Sequence, residues 1–541
     1  MQNLLLRYST LIISALLCLI SLAFLKEYND LIVLCLLFGG LVCVGINDIV
    51  QTKSSILRNY PILAHLRFLF ELIRPEIRQY FLEDDSLAEP FSRNQRSIVY
   101  QRAKQQLDKR PFGTQLDVYQ NGYEWINHSI QPATITTHDF RITIGADRAQ
   151  PYSASVFNIS AMSFGALSAN AIRALNQGAL KGNFMHDTGE GSISRYHRPE
   201  NDQTTGGDLV WNIGSGYFGC RNPDGSFSKE RFSANAQLAQ VKMIEVKLSQ
   251  GAKPGHGGLL PGSKVSAEIA AARGVTQGVD CVSPAAHSAF STPIELMHFI
   301  EQLRTLSGGK PTGFKFAVGH PWEFMGIVKA MLVTGIVPDF IVVDGGEGGT
   351  GAAPVEFTDH VGVPLQEALL LVHNTLVGSN LRERIKIGAS GKIVTAFDIA
   401  RTLALGADWC NSARGFMFAL GCIQSQSCHT DRCPTGVATQ DPLRQRALVV
   451  PDKAERVMHF HDNTLKALSE LIAAAGLTHP DQLKPHHIVR RISGNQIGLV
   501  SSLLPYLNKG DLLDPLCADT LPEVYATYWP IAQAESFHPI R

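Results

Sequence analysis

Two apolar runs open the chain, residues 11–25 and 31–46, separated by the polar break Lys26-Glu27-Tyr28-Asn29-Asp30. Counted with its flanking residues, each run is near the lower limit for crossing a bilayer, roughly 17–25 residues. Arg7 precedes the first run, and Lys53, Arg58, Arg67 and Arg74 follow the second. The positive-inside rule then puts both ends in the cytoplasm. The pattern predicts a transmembrane hairpin over 1–50. A cleaved signal peptide explains only the first run, and no small-x-small cleavage site follows it. A buried helical hairpin is the other alternative. Residues 51–150 read as a linker and N-terminal extension without a chemical motif. Phe68, Leu69, Phe70, Leu72 and Ile73 among Arg67, Arg74 and Arg78 form an amphipathic stretch, either a packing helix or one near a membrane surface.

From about 155 to 445 the pattern changes. Short β-type runs end in glycine, serine or a charge, at 156–160, 184–187, 243–248, 279–283, 313–317, 340–344, 385–388 and 409–412. Helical stretches lie between them at 169–182, 263–273, 293–306, 324–334, 365–377 and 396–405. Strand–helix alternation implies a parallel sheet. Eight units predict an α/β fold, a (β/α)8 TIM barrel over 151–445 with an insertion around 191–240. A doubly wound open sheet is the alternative. Residues 446–541 read as a small helical C-terminal extension, with helices at 454–475 and 486–492.

A barrel places its site at the C-terminal ends of its strands. Those ends here include Ser160-Ala161-Met162-Ser163, Asp187-Thr188-Gly189-Glu190, Lys247, Lys315, Gly345-Gly346, Ser390-Gly391 and Ala413-Arg414-Gly415. Small residues let a ligand approach the backbone. The last two loops occupy the place where such barrels bind phosphate, with backbone N–H groups and a helix at 416–420 to hold an anion. A phosphorylated cofactor suits them. Lys247 and Lys315 end apolar strands, and a cation there can stabilise a reduced flavin; pairing with a carboxylate at the rim is the plainer reading. Gly346, Gly348 and Gly351 match G-x-G-x-x-G, but Ala352-Ala353-Pro354 does not open a helix, so a dinucleotide fold is not indicated.

Charge is balanced, 48 basic against 48 acidic residues, which leaves no electrostatic footprint for nucleic acid. Three cysteines, Cys422, Cys428 and Cys433, fall within a short loop ending in Cys-Pro. Three thiolates at that spacing suit an iron–sulfur cluster with three irons. Zinc with His429 as a fourth ligand, or ordinary buried thiols, are the alternatives. A cluster needs a reducing compartment, which places the catalytic part in the cytoplasm. Cys422 lies seven residues past Gly415, about 10 Å if helical, a short reach from a cofactor at the barrel mouth.

Residues 155–445 resemble the synthase domain of glutamate synthase. The resemblance rests on Met162-Ser163-Phe164-Gly165-Ala166-Leu167-Ser168, Thr188-Gly189-Glu190-Gly191, Gln250-Gly251-Ala252-Lys253-Pro254-Gly255, the glycine run from Gly345 to Gly351, the cysteine set, and Pro434-Thr435-Gly436-Val437-Ala438-Thr439-Gln440-Asp441-Pro442. It implies a barrel holding FMN and a 3Fe-4S cluster on Cys422, Cys428 and Cys433. It implies reduction of 2-iminoglutarate, formed from 2-oxoglutarate and ammonia, to L-glutamate. Lys253 and Arg273 fall where the family binds the 2-oxoglutarate carboxylates, and Glu190 on its active-site glutamate. His256 stands where the family has an acid, and Leu259 where it has a substrate-binding glutamine. The chain has no room for the family's glutaminase domain, so ammonia would come from elsewhere, such as a separate glutaminase subunit. Electrons would come from a ferredoxin-like protein or another donor. The rival functions are a related FMN oxidoreductase acting on another imine or N-substituted amino acid, and an electron-relay subunit of a membrane complex.

Overall fold

The computed structural model describes residues 7–87, 89–198 and 206–540. Part of the expected hairpin, 1–6, and part of the expected insertion, 199–205, lie outside them. The chain forms two compact units, Met1–Ala88 and Glu89–Arg541.

In the first unit, helices Ser9–Phe24 and Leu31–Val50 pack side by side, and the polar break between them is the turn. Small residues allow the approach: a Cβ added at Gly45 would lie 2.6 Å from Leu11 Cδ1. Their outward apolar side chains are exposed, Leu36 by 72%. Among the described residues only Leu31–Val50 is long and apolar enough to cross a membrane; Ser9–Phe24 has 16 residues. A short helix, Ser55–Asn59, is followed by Ala64–Ile77, which runs into a π-helical turn, Arg78–Leu82.

The second unit holds a closed barrel of eight parallel strands. They are β1 (Phe157–Ile159), β2 (His186–Asp187), β3 (Leu209–Ile213), β4 (Val241–Lys247), β5 (Thr312–Phe316), β6 (Phe340–Asp344), β7 (Lys386–Ser390) and β8 (Trp409–Ser412), with β8 closing onto β1. The count of eight is as expected, but one member differs. Residues 279–283 are not a barrel strand: Cys281–Val282 pairs antiparallel with Leu259–Leu260 in a small ribbon. The third strand is instead Leu209–Ile213, inside the stretch expected to be an insertion. A short apolar run bounded by glycines fits either place, and only the pairing of Leu209–Ile213 with β2 and β4 decides.

Helix α1 (Ala169–Gly182) starts at Ser168, whose Oγ accepts from Ala171 N (3.2 Å), and ends at Asn183 in the left-handed region. Helix α2 (Val450–Ala474) packs on α1 so closely that a Cβ at Gly178 would lie 2.4 Å from Val457. An antiparallel hairpin, Arg141–Ile144 with Tyr152–Ser155, closes the lower end of the barrel. Its Ile144, Tyr152 and Ala154 share one buried cluster with Met185, Val210, Met243, Phe340, Val342 and Trp409. The expected helix at 486–492 is a strand: Ile488–Ser493 lies between Glu124–Ile126 and Gln496–Leu499 in a three-stranded sheet. One partner, Glu124–Ile126, comes from a distant part of the chain; the other, Gln496–Leu499, follows across the turn at Gly494 and Asn495, the one local sign of a hairpin.

Candidate active site

Side chains alternate across a strand, so those two residues beyond the apolar lower layer face the interior again. They are polar and buried: Asp187, Asn212, Glu245, Asp344 and Asn411, joined by Asn158, Lys315 and Ser390. Asn212 Nδ2 donates to Glu245 Oε1 (2.5 Å), and Gly189 N to Asp187 Oδ1 (2.9 Å). Burial, then the facing Asp187, raises the Glu245 carboxyl well above the usual carboxylate range. Lys315 is a register partner of Lys247 on the adjacent strand, so two cations stand side by side. Lys315 lies 3.8 Å from Asp344. Burial disfavours its charge, but Asp344, Glu245, Asp187 and Glu190 outweigh this and raise its pKa.

At the mouth, Lys247 Nζ lies 3.1 Å from Glu190 Oε2 and donates to Gln250 Oε1 (2.6 Å). Burial would raise the Glu190 carboxyl, yet Lys247, Arg273 and Lys253 hold it below the ordinary range, so it stays ionised. Gly214 and Gly258 leave room for it; a Cβ at Gly258 would lie 2.8 Å from Glu190 Oε1. Lys253 is buried, and its Nζ donates to Ala352 O (3.3 Å) on the glycine-rich loop after β6. Burial lowers its pKa, with Glu190 opposing. Arg273 is not a surface charge: it is buried, donates from Nη2 to Phe164 O (3.1 Å), and stacks over Phe218 (5.1 Å). Its Nε has no hydrogen-bond partner among the described residues. Four of the expected site residues, Glu190, Lys247, Lys253 and Arg273, therefore meet. Leu259 is half exposed, while its neighbour Leu260 is buried.

The other expected cofactor residues end or follow β1, β6, β7 and β8. Ser160 and Met162 are buried after β1, and Ser163 Oγ accepts from Gly191 N (3.1 Å). Gly345 N donates to Ser390 O and Gly346 N to Val363 O, each 2.8 Å, so these N–H groups are already paired. Ser390 Oγ donates to Asp344. Gly251 must be glycine, because a Cβ there would lie 1.8 Å from Gly345 O. Ala413 and Gly415 flank Arg414 at the start of the helix Arg414–Leu420. Arg414 donates to Glu347 O (2.8 Å), stacks over Phe91 (4.7 Å), and is lowered to about 10 by burial. Gly391 lies against Glu347 and Leu365.

Cys422, Cys428 and Cys433 are close enough to act on one another electrostatically. Burial first, then the other two thiols, push Cys422 up to about 12, with Gln424 N donating to its Sγ (3.4 Å). Cys433 is buried, yet Thr435 and the backbone N–H groups of Ala438, Thr435 and Val437 lower it. Among the described residues no group of three His, Cys, Asp or Glu side chains could hold a metal ion. A cluster of several irons keeps its thiolates farther apart than one ion does. Sequence reasoning missed supports drawn from elsewhere. Tyr100 Oη donates to Cys422 O (2.6 Å), Lys264 Nζ to Cys428 O (2.9 Å), and His287 faces Lys247 O at 2.8 Å. Only Glu245 had a local signal, two residues before Lys247 on the same strand.

A (β/α)8 barrel with a cationic mouth and a three-cysteine loop behind its last strand defines the class. The chain belongs to the glutamate synthase family: the family model for the conserved region in glutamate synthase matches residues 111–478. It is 38% identical over 504 residues to a Bacillus subtilis (strain 168) protein named glutamate synthase large subunit-like protein YerD, covering 85% of this chain and 94% of that one. It is 36% identical over 330 residues to an archaeal glutamate synthase (NADPH) of Methanocaldococcus jannaschii, and the match spans 60% of each chain. A flavocytochrome b2 double mutant with pyruvate bound superposes at a TM-score of 0.41 and 13% identity, over 88% of this chain and 96% of that one, too loosely to bear on function.

Proposed function

We propose that the chain is a glutamate synthase-type oxidoreductase that reduces the imine of 2-oxoglutarate to L-glutamate. FMN would sit in the barrel mouth and a 3Fe-4S cluster on Cys422, Cys428 and Cys433. The observation that carries this reading is the convergence of Lys247, Lys253 and Arg273 on an ionised Glu190. A dicarboxylate needs two charged donors, and the buried Lys253 ammonium and the Arg273 fork supply them. Arg273 Nε has a donor to spare. Glu190 can hold a protonated C=N nitrogen in place, which keeps its carbon electrophilic.

The residues fit a flavin. The adjacent Lys247 and Lys315 suit a group that gains negative charge on reduction. Ser160, Met162, Ser163, Gly345, Gly346, Ser390, Gly391, Ala413, Arg414 and Gly415 would hold it, with Arg414 as the buried cation. When bound, such a cofactor supplies hydride to carbon and accepts electrons singly. The thiols of Cys422 and Cys433, each with N–H donors at sulfur, fit a cluster fed by a ferredoxin-like donor. Ammonia would be free or delivered by a separate glutaminase subunit. Residues 1–50 would anchor the chain in the membrane with the catalytic unit on the cytoplasmic side, supported by the apolar helix Leu31–Val50 and the basic residues after it.

The test is anaerobic reductive amination of 2-oxoglutarate by the detergent-solubilised protein, with reduced ferredoxin or a dye as donor. L-glutamate should form, with about one flavin and three irons per chain. Protein carrying flavin and iron but making no glutamate from any donor would refute the substrate. Stoichiometric zinc without iron would refute the cluster.

A further inference from the structure

The segment after the apolar hairpin has a face that no described residue of its own unit covers. On Ala64–Ile77 and Arg78–Leu82, Leu69 is 50% exposed, Phe70 61%, Phe81 82% and Leu82 74%. Leu66, Leu69, Phe70, Ile73 and Ile77 recur at helical spacing on one side, and Arg67, Glu71 and Arg74 share the next. Residues 51–82 carry five cations, Lys53, Arg58, Arg67, Arg74 and Arg78, against two acids, Glu71 and Glu76. An apolar face bordered by basic residues is the mark of a helix lying in a membrane–water interface.

The base of this helix is tied to the open end of the hairpin. Thr10 Oγ1, at the start of the first apolar helix, donates to Pro61 O (2.8 Å). Asp48, near the end of the second, is buried; it accepts from Ile62 N (2.9 Å) and faces His65 Nε2 at 2.9 Å. Tyr8 Oη donates to Arg58 O (3.3 Å). The polar ends of both apolar helices thus grip residues 58–65. In a spanning hairpin those ends lie at headgroup depth, so Ala64 begins there. The acidic run Glu83-Asp84-Asp85 follows Leu82 directly, which anionic headgroups would repel, so the element ends where the charge changes sign.

We propose that Ala64–Ile77 and Arg78–Leu82 lie in the plane of the membrane surface, with their apolar side chains at the acyl boundary and Arg67, Arg74 and Arg78 on anionic phospholipid headgroups. This rests on the reading of residues 1–50 as a membrane anchor. Each basic residue at such a surface strengthens binding about five-fold, so the element adds a second, salt-sensitive hold.

The experiment is hydroxyl-radical footprinting, read by mass spectrometry, of the full chain in nanodiscs. The lipid is phosphatidylcholine alone or mixed with phosphatidylglycerol. Leu36, in the second apolar helix, and Phe112, fully exposed in the second unit, are internal standards. In the anionic discs Phe70 and Phe81 should be oxidised as slowly as Leu36 and several-fold more slowly than Phe112. That protection should weaken in the neutral discs and in the R67Q/R74Q/R78Q variant. Oxidation of Phe70 and Phe81 at the rate of Phe112 would overturn the proposal. Protection indifferent to lipid charge and to the triple variant would also overturn it, pointing to docking on protein. If Leu36 itself were oxidised like Phe112, the anchor would be the reading that failed, and the proposal with it.

Discussion

At its lower end the barrel encloses Met185, Val210, Met243, Phe340, Val342 and Trp409, sealed by the hairpin that carries Ile144 and Ala154. Two residues further along the same strands it encloses Asp187, Asn212, Glu245, Asp344 and Asn411, with Lys315 among them. One backbone geometry holds both layers, and only side-chain chemistry separates them. The lower layer is dry and apolar, and contributes burial energy. The upper layer buries charges, which is costly unless each is paired. Here they are paired with one another and left open at the mouth. The molecule can keep that unfavourable layer because the other is so well packed.

The comparison breaks most visibly at Trp409. Replacing it by Ala should cost about 3–5 kcal/mol through the cavity left, seen as a lower denaturant midpoint. If stability survived while activity fell, the division of roles between the layers would be wrong. Arg273→Ala should do the reverse. Loss of charged hydrogen bonds, roughly 1.5–3 kcal/mol, should raise KM for 2-oxoglutarate on the order of 10- to 100-fold, with a smaller change in unfolding. Arg273→Lys should restore only part, because lysine lacks the fork.

Smaller still is Glu245→Gln. The carboxyl is raised, so the folded state holds a proton that the unfolded chain gives up at ordinary carboxylate pH. Stability must therefore fall as pH rises from about 4.3 toward the raised value, since the folded state binds more protons. The Gln variant should flatten this slope and change neutral-pH stability by less than about 1 kcal/mol. A steeper slope in pH-dependent denaturation would exclude a raised Glu245 carboxyl. The smallest effect concerns Lys253. Its lowered pKa means its charge is lost before that of an ordinary lysine, near 10.4. KM for 2-oxoglutarate should climb with pH below that value, and Lys253→Arg should move the climb upward.

Much of this was legible along the chain. Residues 340–344 and 409–412 are strands at the bounds their pattern predicts, and 169–182 and 293–306 are helices. Lys247 and Lys315 were readable as mouth residues because each ends an apolar strand. Leu209–Ile213 was not readable as a barrel strand, nor was Ile488–Ser493 as a strand at all. The partners of Leu209–Ile213 lie outside the local window; Ile488–Ser493 has one distant partner, Glu124–Ile126, and one local one, Gln496–Leu499, whose only sequence signal is the turn at Gly494-Asn495. The plainer reading of the two lysines, a carboxylate partner, also holds, since Glu190 and Asp344 stand beside them.

The sequence by itself determined the repeating strand–helix order, the apolar hairpin, the cysteine spacing and the residue types at the strand ends. Those follow from local periodicity and composition, which need no distant partner. Tertiary structure alone decided which eight strands close the barrel. It brought Arg273 back from a helix after β4 to Phe164 after β1. It set Lys253 against the loop after β6, and it stacked Asp187 against Glu245 so that one carboxyl keeps its proton. Burial and charge pairing depend on what arrives from elsewhere in the chain, and no single segment carries that information.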